Sequence, residues 1–308
     1  MAAALVVLIH TEFFAASPLM PFKLLAVPLF FMISGWFIIG SDGKIDSVRL
    51  RRAAVKVLKI TVVANLVYLA LGLVLAGIHS SGAAEAPFSG NPVGKVLRLL
   101  VVGDAIAGPL WYLTAYLQVL LILWIFVKGR VGTWIYWLIP LGLTANLLLG
   151  KYGFIHGGGY LDIACSRNAL TVGLPCVLLG MWLRRHEERL PQRRQALVAV
   201  LVLSAAALVE AILLSRQVFR IWTVGQLYLL TIPLAIAVFL LCLHLDAPEW
   251  AVKAGRRYSA GIYLWHWAVA LLLSELGLSA LRPVEWPVVF LLTLLLVMVL
   301  EMFRRKVA

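Results

Sequence analysis

VLKITVVANLVYLALGLVLAGI, residues 57–78, decides the fold. The run carries a single charge, Lys59, close to its start. A helix needs about 20 mostly apolar residues to cross roughly 30 Å of hydrocarbon. Only a helix or a closed barrel can satisfy its backbone there. Arg49, Arg51, Arg52 and Lys56 stand just before the run. Cations at one end of an apolar segment hold that end in the cytoplasm. The stretch therefore reads as a spanning helix with a fixed direction.

Nine more stretches read the same way: 1–17, 24–40, 109–127, 131–149, 168–184, 195–215, 222–244, 258–275 and 286–303. Residues 93–107 are shorter and amphipathic, which suits the membrane surface. Of 308 residues 63% are hydrophobic and 13% charged, and the mean hydropathy is +0.97. A soluble domain lies nearer to about half apolar and about a quarter charged. The expected fold class is all-α. It is a polytopic membrane helical bundle of about ten transmembrane helices, a single integral-membrane domain over 1–308, with no internal repeat.

The cations fix the sidedness. Nineteen of the 27 Lys and Arg residues fall on one side, in 41–56 with Lys59, 128–130, 184–194, 253–257 and 304–306. Lys23, Lys95, Arg98, Lys151, Arg167, Arg216, Arg220 and Arg282 fall on the other. The richer side is cytoplasmic, so both termini are expected in the cytoplasm and loops 79–95 and 150–167 outside. The net charge of +13 is then a topology signal and a contact with anionic lipid, and no nucleic-acid partner is expected. Cys165, Cys176 and Cys242 make no disulfide framework, and the last two sit in apolar runs as small hydrophobes. The first segment has neither a basic leader nor a small-residue cleavage site, so no cleavable signal peptide is expected.

An ionisable side chain inside a bilayer costs about 2.5–3.5 kcal/mol, so each one asks for a reason. VVLIHTEFF (6–14) places His10 well inside the first segment. Glu12 is two residues on, roughly 200° around a helix, so the two form no local acid–base pair. His10 is either a core histidine bonded to a neighbouring backbone or a functional base. Glu12, near the outer surface, is either a solvated carboxylate or part of a site. In VPLFFMISGWFII (27–39), Ser34 and Gly35 make a small patch suited to helix packing. In GPLWYLTAYL (108–117) a proline opens the helix. Trp111 and Tyr112 follow, either as an interfacial belt or as a stacking platform.

Arg167 and Asn168 sit where an outer loop becomes a helix. An arginine there is a poor topology signal and a good binder of anions or carbonyls through its fork. In RRYSAGIYLWHWAV (256–269), Arg256 and Arg257 mark the cytoplasmic edge, and Tyr258, Ser259, Tyr263 and His266 follow inward. His10 and His266 can meet only if the first and ninth expected helices pack together. The six histidines, His10, His79, His156, His186, His244 and His266, lack metal-ligand spacing. No P-loop, HExxH or GxSxG occurs, so neither a metal nor a nucleotide site is expected.

Taken in order, these stretches resemble the membrane acyltransferase-3 family. The family pattern has a histidine closing small aliphatics in the first helix, matched by LVVLIH ending at His10. It has Phe-Phe-x-x-Ser-Gly in the second, matched by Phe30 to Gly35. Leu-Trp-Tyr-Leu is matched by Leu110 to Leu113, and Tyr-Ser-x-Gly-Ile-Tyr-Leu-x-His by Tyr258 to His266. The Arg167-Asn168 step and the Gly-Leu-Pro after it resemble the subgroup that includes the membrane half of vancomycin-resistance serine racemases. One element departs: the family has an arginine on the cytoplasmic approach to the first helix, and here only alanines follow Met1. The expectation is that the DNA before this codon continues in frame and encodes that arginine.

The resemblance implies an O-acyltransferase. An acyl group, often acetyl, would pass from cytoplasmic acyl-CoA to a hydroxyl acceptor such as a cell-surface carbohydrate, at or beyond the outer face of a bacterial inner or plasma membrane. His10 would be the catalytic base or an acyl relay. Glu12, Trp111, Tyr112, Arg167 and Asn168 would position the acceptor or the carbonyl. Ser34, Tyr258, Ser259, Tyr263 and His266 would line or support the tunnel, with Tyr263 and His266 either lining it or orienting His10, and Arg49, Arg51, Arg52 and Arg256 would receive the CoA phosphates. Acyl-CoA is a co-substrate and no bound cofactor is implied. The partners are the lipid bilayer, acyl-CoA and the acceptor, and the oligomeric state is not fixed by the sequence. Two rivals stand beside this reading. A transporter or flippase for a small amino acid or lipid-linked sugar would show matched Gly/Pro interruptions in two halves. Pro28, Pro140, Pro175 and Pro233 form no such pair. The other rival is a non-catalytic membrane scaffold.

Overall fold

The computed structural model describes residues 2–11, 19–40, 44–78, 91–156, 161–215, 226–277 and 284–307. Among the described residues the regular structure is helical, apart from an isolated bridge between Ile39 and Ile45. The α-helices in chain order are α1 (Ala2–Ile9), α2 (Met20–Lys23), α3 (Ala26–Ile38), α4 (Ser47–Ile78), α5 (Pro92–Val101), α6 (Trp111–Lys128), α7 (Leu138–Leu149), α8 (Leu174–Arg185), α9 (Arg193–Ser215), α10 (Thr231–Leu243), α11 (Glu249–Glu275) and α12 (Glu285–Val307).

Five helical stretches are long and apolar enough to cross a membrane: Met20–Ile38, Ser47–Gly77, Gly108–Lys128, Arg193–Leu214 and Glu285–Arg304. They coincide with the expected segments 24–40, 57–78, 109–127, 195–215 and 286–303. The other expected segments hold α1, α7, α8, α10 and α11, each shorter or more polar. Residues 12–18, which complete the first expected segment and include Glu12, lie outside the described residues. The 27 residues of α11 are long enough, but Tyr258, Ser259, Tyr263 and His266 dilute its apolar character. α4, at 32 residues, is about 48 Å long against roughly 30 Å of hydrocarbon, so its basic end projects beyond the apolar layer.

The chain forms two compact units, Met1–Leu29 with Pro191–Ala308, and Phe30–Leu190. In the first, α1 packs on α11 and α12, α11 on α12, and α9 on α10. The Trp286 indole N–H of α12 donates to the Ala4 carbonyl of α1 at 3.0 Å. Glu210, a carboxylate within the apolar helix α9, accepts from the backbone N–H groups of Leu229 and Leu230 at 2.7 and 3.0 Å. It thereby satisfies donors just ahead of α10 that the chain itself leaves open.

In the second unit α4 packs on α6 and α7 on α8. Asp46 caps α4, its Oδ1 accepting from Val48 N–H at 2.7 Å. Gly35 and Gly180 serve one contact from both sides. A Cβ on Gly35 would collide with the Val177 carbonyl, and one on Gly180 with the Met32 carbonyl. Small residues at both positions let α3 and α8 touch backbone to backbone. The expected segment 168–184 is not one regular helix. Ala169–Gly173 forms a π-turn in which the Leu174 N–H reaches back to the Ala169 carbonyl. Pro175, which has no N–H to donate, follows directly at the start of α8, and a proline at that point favours such an irregular turn.

Candidate active site

α1 is eight residues of Ala, Val, Leu and Ile, and it delivers His10 at its end, where the His10 N–H still donates to Val7 O at 3.1 Å. His266 lies mid-way along the apolar half of α11 and is fully buried. Because α1 packs on α11, the two imidazoles meet, ring centroids 5.2 Å apart and planes tilted by 39°. Trp267 presents an edge to His10 at 5.4 Å, and Tyr263 lies 6.2 Å from the His266 ring. His266 Nδ1 is 2.7 Å from Tyr263 O and 3.2 Å from Ile262 O. Carbonyl oxygens only accept, so Nδ1 carries the ring proton and donates it.

The other sequence-selected residues of this unit lie nearer the start of α11. The Ser259 hydroxyl donates to Gly255 O, the Arg257 guanidinium stands 5.1 Å over the Tyr258 ring, and Arg256 is exposed. Lys23 was counted above only as an outer cation. It is buried, 2% exposed, and its Nζ donates to Thr11 O, the carbonyl just after His10, at 3.3 Å. Glu285 attracts it. An ammonium at the open carbonyl end of α1 suits both the unmet acceptors and the helix dipole. Nothing in the local pattern around Lys23 distinguishes it from a loop lysine.

In the second unit Arg167 stands over Trp111, its Cζ 6.0 Å from the ring centroid. Trp111 is only 6% exposed, which separates it from an interfacial belt, whose rings face lipid and water. Tyr112 packs on Phe31 at 4.6 Å and stacks on Tyr116 at 6.1 Å. The Ser34 hydroxyl acts on both tyrosines and itself donates to Phe30 O at 2.8 Å. Ser34 therefore belongs to the tyrosine cluster while Gly35 serves the packing. Tyr116, one helical turn after Tyr112, was legible from that spacing alone.

Asn168 is bound up with its own turn. Its Oδ1 accepts from Leu170 and Thr171 N–H at 2.8 and 3.0 Å, and its Nδ2 donates to Ala164 O and Cys165 O, both at 2.9 Å. It shapes the turn that follows Arg167. Arg49, Arg51 and Arg52 are exposed near the start of α4, with Arg49 3.6 Å from Asp46.

Arg98, Asp104 and Asp162 were not singled out by the sequence. Arg98 Nε and Nη2 donate to Asp104 at 2.7 and 2.8 Å, and Nη1 donates to Asp162 at 2.8 Å. These bonds raise the Arg98 guanidinium above its usual range and hold the Asp162 carboxyl below its own. Asp104 also opposes the burial that draws Arg167 downward. The ions link α5 to the loop that presents Arg167. Residues 64 apart in sequence leave no short motif by which to find them.

Apolar helices of spanning length and an imidazole pair where α1 meets α11 define a membrane protein with a helix-borne candidate site. The sequence matches the acyltransferase-3 family, an acyltransferase domain, over residues 1–302, and the chain belongs to that family. It is a membrane acyltransferase. No curated protein and no solved structure matches it.

Proposed function

We propose that the chain moves an acyl group, acetyl first among candidates, from cytoplasmic acyl-CoA to a hydroxyl of a cell-surface carbohydrate or similar acceptor at or beyond the outer face. The observation that carries this reading is His10, an imidazole held at the end of an apolar helix against α11 in a chain of an acyltransferase family. A hydroxyl is a poor nucleophile at neutral pH. A neutral imidazole can take its proton as the C–O bond forms, and such a base contributes about 10²–10⁴-fold. The C–S bond of the thioester breaks, and the departing thiolate receives the proton from His10. A variant of the scheme passes the acyl group through His10 itself.

Arg167, Trp111 and Tyr112 are assigned to the acceptor or the carbonyl oxygen, and the exposed arginines Arg49, Arg51, Arg52 and Arg256 to the CoA phosphates. Glu12 keeps its expected place beside the acceptor, although it lies outside the described residues. The chain would cross a bacterial inner or plasma membrane about ten times with both termini in the cytoplasm, as the distribution of cations requires. Purified protein incubated with labelled acetyl-CoA should release CoA only when a hydroxyl acceptor is added. A rapid quench in neutral denaturant during turnover separates the base from the relay, since a relay leaves label on the protein as an acyl-imidazole. Sidedness is tested by a single cysteine at Ser81. Labelling from the cytoplasm alone would reverse the topology and remove the outer acceptor site.

A further inference from the structure

Among the described residues, His266 is one whose hydrogen bonding is left incomplete. Its Nδ1–H is committed to the carbonyls of Ile262 and Tyr263 on its own helix. In a neutral imidazole the other nitrogen, Nε2, is then a bare acceptor. His266 is 0% exposed, and its buried Nε2 has no hydrogen-bond partner among the described residues. A buried acceptor without a donor is costly to leave so. Since Nδ1 faces the α11 backbone, Nε2, on the far side of the ring, faces away from it. α1 packs against α11, and the His10 ring is 5.2 Å away, centroid to centroid.

We infer that His266 is the positioning residue of the site: its Nε2 accepts the ring N–H of His10 and so fixes which nitrogen of His10 is left bare. This rests on the acyltransferase reading given above and deepens it. A neutral imidazole has one N–H and one lone pair, and only the lone pair can take a proton from a hydroxyl. Of the two tautomers of His10, one would face the acceptor with the wrong atom. An N–H held by His266 leaves the opposite nitrogen as the base. The proton count is then complete: the hydroxyl proton adds to that nitrogen, His10 becomes an imidazolium still donating to His266, and the same proton leaves to the CoA thiolate. A buried imidazole, tied by its Nδ1 to two carbonyls, does here what a carboxylate does for the histidine of a serine-protease triad. Catalytic hydrogen bonds are commonly long before substrate arrives and tighten in the complex, in keeping with rings that are adjacent without yet being bonded.

His266→Gln and His266→Leu test the inference together. Glutamine keeps an acceptor for His10 and an N–H for the α11 carbonyls but cannot titrate, whereas leucine fills the space and does neither. The leucine variant should lose about 10²-fold or more in kcat with the acyl-CoA KM unchanged, and the glutamine variant should stay within about tenfold of wild type. Wild-type turnover in the leucine variant overturns the inference. So does a glutamine variant as slow as the leucine one at equal expression and melting temperature. A second measurement needs no activity. Nitrogen NMR of ¹⁵N-histidine-labelled protein in detergent, with His10→Gln as the assignment control, should show the same His10 tautomer in wild type and in His266→Gln, and a changed tautomer population in His266→Leu. An unchanged His10 tautomer in His266→Leu overturns the inference. A tautomer that follows His266 in a protein that transfers no acyl group sustains it and overturns only the acyl-transfer reading.

Discussion

Where α1 meets α11, the polar groups are two imidazoles with centroids 5.2 Å apart beside the edge of Trp267. Around the turn before α8 they are ions, with Arg98 bonded to Asp104 and Asp162 at 2.7–2.8 Å and Arg167 over Trp111. The first cluster is carried by helices, with His266 buried and His10 and Trp267 half-buried. The second joins the end of α5 to two loops, and Arg98 and Asp162 are 39% and 52% exposed at their side chains. Neutral groups can be enclosed in apolar surroundings at little cost, whereas ions need partners or water. The difference separates an imidazole pair, to which proton transfer is assigned above as a proposal, from an ionic cluster that ties a loop to α5.

Substitutions should separate the two clusters most sharply at His10. His10→Ala is expected to lower acyl transfer by about 10²–10⁴-fold with normal membrane insertion, measured with labelled acetyl-CoA. Full turnover would leave the helix-borne cluster without a role. Gly180→Val tests the scaffold around the ionic side, since it drives a side chain into the Met32 carbonyl. A loss of about 1–3 kcal/mol is expected, seen as a lower detergent melting temperature, while Ala substitutions on the exposed face of α4 leave it unchanged.

Arg98→Ala should cost about 1 kcal/mol, because its pairs are partly solvated. It should raise the acceptor KM more than it changes kcat, and an unchanged KM would detach this network from binding. The smallest effect is expected with pH. Arg98 holds the Asp162 carboxyl below its ordinary value in the folded protein. Such a group adds stability above its unfolded value, about 3.9, and loses it as pH falls through the lower folded value. Melting temperature should therefore decline below about pH 4, and Asp162→Asn should flatten that decline. An identical profile in the variant would make the pair an onlooker.

The helical membrane class was legible in runs such as 57–78, because an apolar run of that length has few other uses. The condition for His10 to meet His266, that the first and ninth expected helices pack, could be written from sequence; that they do pack needed coordinates. Trp111 was ambiguous because belt and site both place aromatics at a helix start, and only its burial separates them. Asn168 looked like a binding amide because a cap and a ligand group share the same chemistry. Lys23 and the Arg98 network were missed for one reason. Charge counting records which side of the membrane a cation favours and says nothing of which carbonyl or carboxylate it will find.

The π-turn at Ala169–Gly173 sets a phase. An ordinary helix advances about 100° and 1.5 Å per residue, while this turn takes one residue more to close. Arg167 is thus dialled about one residue's rotation away from where a regular helix would point it relative to α8. Deleting a single residue within 169–173 should restore the regular spacing and swing Arg167 off the Trp111 ring, leaving α8 and its Gly180 contact in place. The angle at which the loop addresses its ligand would then be written in a count of residues, independent of their chemistry.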